Sequence, residues 1–369
     1  MRKLIIQDLT ALPACLVDVS DPTVTSTTTD IFGNRTVSES VQNFEVHAKT
    51  GQAKMMSMIT TKSETVSIDG SVTTLAAPYT MAYAYNDQGF LIDAQMSGKI
   101  HNRTLDAFGN LTESWTEQKF IIVAGQAKVK SVTTNSRSLS VDGAETVTDP
   151  YIMTYTYSGE NMTAAAIKAQ VAKTGIRDVG HLTDVTDPKL TSTTIDIFGN
   201  KTVSVSVQDF EIHVKTGQAK MMSMTTLKSE TISIDGSATT LVSPYTMTYT
   251  YNDQGLLIDA QMSGKIHNKT VDAFGNLTES WTEQRFIIVA GQAKVKSVTS
   301  NSKSVSVDGT ETVTDPYTMT YTYEGENKTA AQIKAMAGIR KTVGQLTDVT
   351  DPVIEQGGVG SAQRMDLSR

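Results

Sequence analysis

Few residues of this chain have the type and spacing for catalysis. The histidines are His47, His101, His181, His213 and His267, and no two lie at metal-ligand spacing. In Phe44-Glu45-Val46-His47 the alternation puts His47 on the polar side of a strand beside Glu45, which reads as a solvated histidine. A zinc or copper site built across strands is the alternative. Asp69, Asp142, Asp235 and Asp308 each precede glycine, as in calcium-binding turns, but the nonapeptide calcium repeat is absent and the carboxylates are isolated. Cys15 is the sole cysteine, so no intramolecular disulfide framework exists. There is no Gly-x-Ser-x-Gly elbow, phosphate loop or dinucleotide glycine pattern. The expectation is no catalytic residue, no cofactor and no metal.

Two polar features could bind rather than react. Asn-x-Thr sequons begin at Asn34, Asn102, Asn110, Asn161, Asn200, Asn268, Asn276 and Asn327; glycosylation there would fit surface display. Threonine faces such as Thr318, Thr320 and Thr322 could meet ice or carbohydrate. The plainer reading is a good β-former facing solvent or another sheet.

The elements that would position these residues are strands. Tyr317, Met319, Tyr321 and Tyr323 alternate with Thr318, Thr320 and Thr322, a period-2 pattern in sheet-favouring residues. The same strand carries Tyr79, Met81, Tyr83 and Tyr85; Tyr151, Met153, Tyr155 and Tyr157; and Tyr245, Met247, Tyr249 and Tyr251. These copies hold all 12 tyrosines, and with Trp115 and Trp281 they are the expected repeat core. Turns are expected at Gly33-Asn34, Gly109-Asn110, Gly199-Asn200 and Gly275-Asn276, where glycine and asparagine take positive φ cheaply. Asp-Gly at 69–70, 142–143, 235–236 and 308–309 predicts type I′ hairpins.

Repetition sets the layout. Ile31-Phe32-Gly33-Asn34 returns 166 residues on as Ile197-Phe198-Gly199-Asn200, and a weaker repeat of about 75 residues pairs Gly51-Gln52-Ala53-Lys54 with Gly125-Gln126-Ala127-Lys128. The order is A-B-A-B: an N-terminal junction over 1–22, module A1 over 23–85, a connector with module B1 over 86–161, and a helical junction over 162–188. Module A2 covers 189–251, a connector with module B2 252–327, a second helical junction 328–352, and a loose tail 353–369. The junction helices are Thr163 to Ala172 and Thr329 to Ala337, each after a threonine cap, with Leu4 to Ala11 a divergent counterpart. Each junction leads into an Asp-Pro pair, at 21–22, 187–188 and 351–352. The expected fold is all-β: a tandem-repeat antiparallel sheet of solenoid type with short junction helices. The alternative is a string of small β-sandwich modules.

The net charge of −7 with scattered basic residues offers no footprint for nucleic acid. No run of apolar residues is long enough to span a membrane. A low charged fraction of 19% with abundant Ser and Thr suits an exported β-protein, so an extracellular or cell-surface location is expected. Met1 to Ile6 starts like a signal peptide, but Gln7 and Asp8 interrupt it, so no clear export signal is present.

Tyr249-Thr250-Tyr251-Asn252-Asp253-Gln254-Gly255-Leu256-Leu257 resembles the tyrosine-aspartate (YD) repeat of the Rhs family, and Asp272-Ala273-Phe274-Gly275-Asn276-Leu277-Thr278 resembles its second common form. The chain also resembles long, uncharacterised repeat proteins of bacterial surfaces. The resemblance implies an antiparallel sheet that spirals into a shell, enclosing a toxin or serving at a cell surface. The motif that terminates an Rhs shell is missing here, which leaves a general structural role as the implication. The resulting expectation is a non-enzymatic structural protein of an extracellular fibre or surface layer, associating with itself head to tail. The alternatives are an adhesin stalk or carbohydrate-binding surface protein that meets surface glycans, and an Rhs-like shell fragment.

Overall fold

The computed structural model describes Leu16, residues 18–174, 179–336 and 343–350, and the backbone of Val353 and Ile354. The lead-in helix expected over 4–11, Cys15 and most of the tail lie outside the described residues.

The first unit comprises β1 (Thr23–Thr29), β2 (Arg35–Val46), β3 (Ala53–Val66), β4 (Val72–Ala77), β5 (Tyr79–Tyr85), β6 (Leu91–Ser97) and β7 (Ile100–Leu105). It continues with β8 (Leu111–Val123), β9 (Gln126–Leu139), β10 (Glu145–Tyr157) and α1 (Ala164–Thr174). After β11 (Leu182–Val185) the second unit repeats the order: β12 (Lys189–Ile195), β13 (Lys201–Ile212), β14 (Ala219–Ile232), β15 (Ala238–Leu241) and β16 (Tyr245–Tyr251). Then come β17 (Leu257–Ser263), β18 (Ile266–Val271), β19 (Leu277–Val289), β20 (Gln292–Val305) and β21 (Glu311–Tyr323). Helix α2 (Ala330–Met336), β22 (Leu346–Val349) and β23 (Val353–Ile354) close the described chain. All 23 strands join one antiparallel network, so the modules form a continuous sheet rather than separate beads.

The sheet is simpler than its strand count suggests. β4 and β5 lie along one line broken at Pro78, where a proline cannot donate to the ladder. β10 carries Pro150 at the corresponding place and stays one strand, with its register shifted between Thr148 and Tyr151. β6 and β7 form a second such line, as do β11 and β12. Each module is therefore four long strands, and the stretch expected as a connector is the first strand of each B module.

Turn chemistry departs from the expectation in one respect. Gly70 has φ 90°, but Asp69 is not in the left-handed region. The Gly70 amide bonds to the Ser67 carbonyl, and Ser67 and Ser71 close the loop at 2.9 Å. These Asp-Gly sites are three-residue loops with glycine in the bulge position, not type I′ turns. The type I′ geometry belongs to Ala124-Gly125 (φ 50° and 78°) and Ala290-Gly291 (52° and 75°).

The helices start as their caps dictate. Thr163 Oγ1 accepts from the Ala166 amide at 3.2 Å, and Thr329 exchanges bonds with Gln332 in a capping box. Helix α2 buries Ile333 in a cluster with Ile68, Val289 and Val343. Ile68 belongs to the first module, Val289 to the last, and Ile333 and Val343 to the junction that follows it, so the sheet coils back on itself. Phe32 packs on the same cluster, and Gln345 Nε2 donates to the Asp69 carbonyl at 3.3 Å. One rim of A1 thus rests on the opposite rim of B2, three modules further along.

Candidate functional site

Among the described residues no group of three His, Cys, Asp or Glu side chains could hold a metal, and no helix is long and apolar enough to cross a membrane. His101 and His267 stack on Trp115 and Trp281 with ring centroids 4.9 Å apart. His101 Nε2 lies 3.5 Å from Glu113 Oε1, near enough for an ion pair when the ring is protonated. Yet the same nitrogen, like His267 Nε2, has no hydrogen-bond partner. Contact at the edge of range, without alignment, explains both facts. His47 and His213 bond Thr50 and Thr216 Oγ1 at 3.0 Å and help to close their own turns.

The four tyrosine strands occupy matching places in the four modules. Met81 and Met247 are buried, Met153 and Met319 half-buried, and the tyrosines and both tryptophans half-buried. The last tyrosine of each strand has a distinct task. A β-bulge in the neighbouring strand inserts Met56, Lys130, Met222 or Lys296, and the carbonyl just before it faces the tyrosine. Tyr85, Tyr157, Tyr251 and Tyr323 donate their hydroxyls to those carbonyls, on Met55, Val129, Met221 and Val295, at 2.8–3.0 Å. In the B modules the bulged Lys130 and Lys296 meet Glu160 and Glu326 at 2.9 Å. In the A modules Lys54 and Lys220 instead lie 5.5 Å over the rings of Tyr85 and Tyr251.

The glycine–asparagine turns hang on the aspartate four residues before each asparagine. Asp30 Oδ1 accepts the amides of Phe32, Gly33 and Asn34 at 2.8–2.9 Å, and Asn34 Nδ2 donates to Asp30 Oδ2 at 2.7 Å. Asn34 Oδ1 takes the Ile68 amide at 2.9 Å and so ties the turn to the next hairpin. Asp106, Asp196 and Asp272 do the same for Asn110, Asn200 and Asn276. Hydrogen bonds from the Asn200 and Asn276 side chains and the turn amides hold Asp196 and Asp272 below the usual carboxylate range. For Asp106 partial burial pushes upward, and the Asn110 and backbone bonds together outweigh it. Because these asparagine amides are committed to the aspartates, the four sequons at the turns are structural first.

One row of hydroxyls crosses the whole sheet. It runs from Thr28 through Thr36, Thr65, Thr73, Thr104, Thr112, Ser138 and Thr146 in the first unit. It continues through Thr194, Thr202, Thr231, Thr239, Thr270, Thr278 and Ser304 to Thr312 in the second. Alternate neighbours share a hydrogen bond, among them Thr73 with Thr104 and Thr202 with Thr231, both at 2.8 Å. The interior members are half-buried, whereas Thr28 and Thr312, its two ends, are exposed.

The seam between units is built from the Val-Thr-Asp-Pro phrase. β10 pairs with β12 from Glu145 opposite Ile195 to Thr148 opposite Ser192, and Thr146 and Thr194 share a 2.8 Å bond. Thr186 Oγ1 accepts the Thr154 amide of β10 at 2.9 Å, while Asp187 Oδ1 accepts the Phe210 amide of β13 at 2.9 Å. One phrase therefore grips the module before it and the module after it. In the first copy of the phrase the forward grip is made, Asp21 on the Phe44 amide at 2.8 Å, and Ser20 at the place of Thr186 is exposed, with no backward grip among the described residues. At the end Thr350 holds the Thr320 amide at 3.0 Å. β22 and β23 cover the tyrosine half of β21, up to Tyr317 opposite Ile354. Glu311 to Thr314 carry no partner on that side among the described residues, and neither does the outer edge of β1.

No model of a known protein family and no curated protein matches this sequence.

Proposed function

We propose that this chain is a structural repeat array, a non-enzymatic subunit or segment of an extracellular fibre or surface layer that continues head to tail. The observation that carries the reading is the B1–A2 seam: among the described residues the two outer strand edges present the halves of the same seam. β1 offers the A side and Glu311 to Thr314 the B side, with matching strands and matching hydroxyls. Open strand edges are templates for pairing with another chain, and a heterologous pair of this kind propagates instead of closing as a two-fold dimer. The internal register then sets Thr312 opposite Thr28 of the next copy, as Thr146 stands opposite Thr194. The hydroxyl row favours assembly over glycan binding, because its interior members are half-buried and bonded to one another. The tyrosine strands and Phe-Gly-Asn turns support kinship with Rhs-type repeat proteins at the level of these phrases.

Sedimentation velocity across a concentration series tests the reading, with negative-stain microscopy of the heaviest fraction. Concentration-dependent linear polymers are expected, and a strict monomer at high concentration overturns it. Asp at both Thr28 and Thr312 should weaken association by like-charge opposition, and Thr28→Lys combined with Thr312→Asp should restore it.

A further inference from the structure

Inside one chain, the rim of A1 seats Phe32 and Ile68 on B2. The Phe32 ring lies so close over Gly291 that a methyl there would come within 2.9 Å of Cε2. Ile68 is only 6% exposed and Ile333 2%. The central residues of this contact have counterparts 166 positions away, and there it is unmade. Phe198 and Ile234, the counterparts of Phe32 and Ile68, are 68% and 72% exposed. A methyl on Gly125, the counterpart of Gly291, would meet nothing within 4 Å. Ile167, the counterpart of Ile333, is half-buried, and Phe90, at the place of Leu256, is 65% exposed.

We propose that the cleft formed by Phe90, Ile92, Ala124 and Gly125 of module B1 with Ile167 of the junction helix after it is the docking site for Phe198 and Ile234 of a second copy of this chain. The proposal rests on the head-to-tail reading and adds a second contact to it, between successive turns of the coil instead of between strand edges. The argument is continuity with the internal contact, which steps three modules forward, from A1 to B2. The same step taken from A2 passes beyond B2 and lands on module B1 of the following copy. Among the described residues A2 has no such module ahead of it and B1 has none behind it, and a second copy of this chain supplies both halves. The apolar character matches: two large side chains now in water would enter a cleft lined by aliphatic and aromatic groups. There is also room. Beside Phe32 the internal contact leaves a cleft of about 290 Å³ bounded by Leu256, Ile258 and Ile288. Phenylalanine at 90 in place of leucine fills part of that space.

The test uses the full chain with Cys15→Ser, so that introduced cysteines are the only thiols. Phe198→Cys and Ala124→Cys are made in separate chains, mixed, and treated with a short bis-maleimide. Phe32→Cys with Ala290→Cys in one chain is the internal control, and it should cross-link without any gain in mass. The expected result is a covalent dimer from the mixture and none from either variant alone. Sedimentation of the same samples separates the two readings. Polymers that form without the cross-link, while the control reacts, overturn the docking site and leave the strand-edge seam standing. Absence of both polymers and cross-link overturns both. Phe198→Asp, at an exposed position, should leave the monomer's thermal unfolding unchanged and move half-maximal association to about tenfold higher concentration; an unchanged midpoint counts against the site.

Discussion

The hydroxyl of Tyr157 donates to the carbonyl of Val129 at 2.8 Å, immediately before the bulge at Lys130 and beyond Ser131, where the pairing of β9 with β10 ends. A half-buried carbonyl without a partner is costly, so this single bond carries more weight than its exposure suggests. Tyr157→Phe should lower unfolding free energy by about 1–3 kcal/mol. Tyr155→Phe, whose hydroxyl has no hydrogen-bond partner among the described residues, should cost less than half of that. Chemical denaturation of the two variants side by side checks the difference, and equal losses would remove the bulge-cap account.

The turn aspartates predict an acid transition. Asp196 and Asp272 titrate below their ordinary value of 3.8 in the folded chain. A depressed carboxylate contributes stability that is present above the unfolded value and is lost as pH falls through the lower folded one. Thermal stability should therefore hold down to about pH 5 and decline steadily below about pH 4. Replacing Asp196 and Asp272 together by Asn should lower the plateau and flatten the acid slope. An unaltered slope in the double variant would assign the acid transition elsewhere.

The buried methionines, more than the tyrosines, mark the packed centre of each A module. Met247→Ala should cost about 2–5 kcal/mol, in the range of large-to-small core truncations. Met319→Ala, at a half-buried position in a B module, should cost clearly less. Differential scanning calorimetry of both variants reads this directly.

The period-2 tyrosine strands, the threonine-capped junction helices and the Phe-Gly-Asn turns were all legible, because each is decided by residues within a few positions of one another. The type of the Asp-Gly turns was not. Ser67 to Ser71 consists of residues that suit either loop length, and the choice falls to the register of β3 against β4. The bulges at Lys130 and Met56 were invisible for the same reason, although the lysine in one and methionine in the other hinted that the modules solve that position differently. The hydroxyl row could not be read at all. Threonine is abundant throughout the chain, and only the pairing of every strand shows which threonines stand in line. The seating of Phe32 on Gly291 depends on the accumulated twist of three modules, and no local pattern encodes that.

The coil meets itself after three modules, while the sequence repeats after two. An odd winding step on an even repeat makes every contact between layers join unlike partners, A upon B and B upon A. Insertion or loss of a whole unit preserves this parity for all later layers. Insertion or loss of a single module reverses it for every contact that spans the altered place, setting like upon like there and presenting Phe32-type rims to surfaces shaped for something else. The array can therefore change length by duplication only in steps of two modules, and drift in one unit is answerable to a layer encoded far from it.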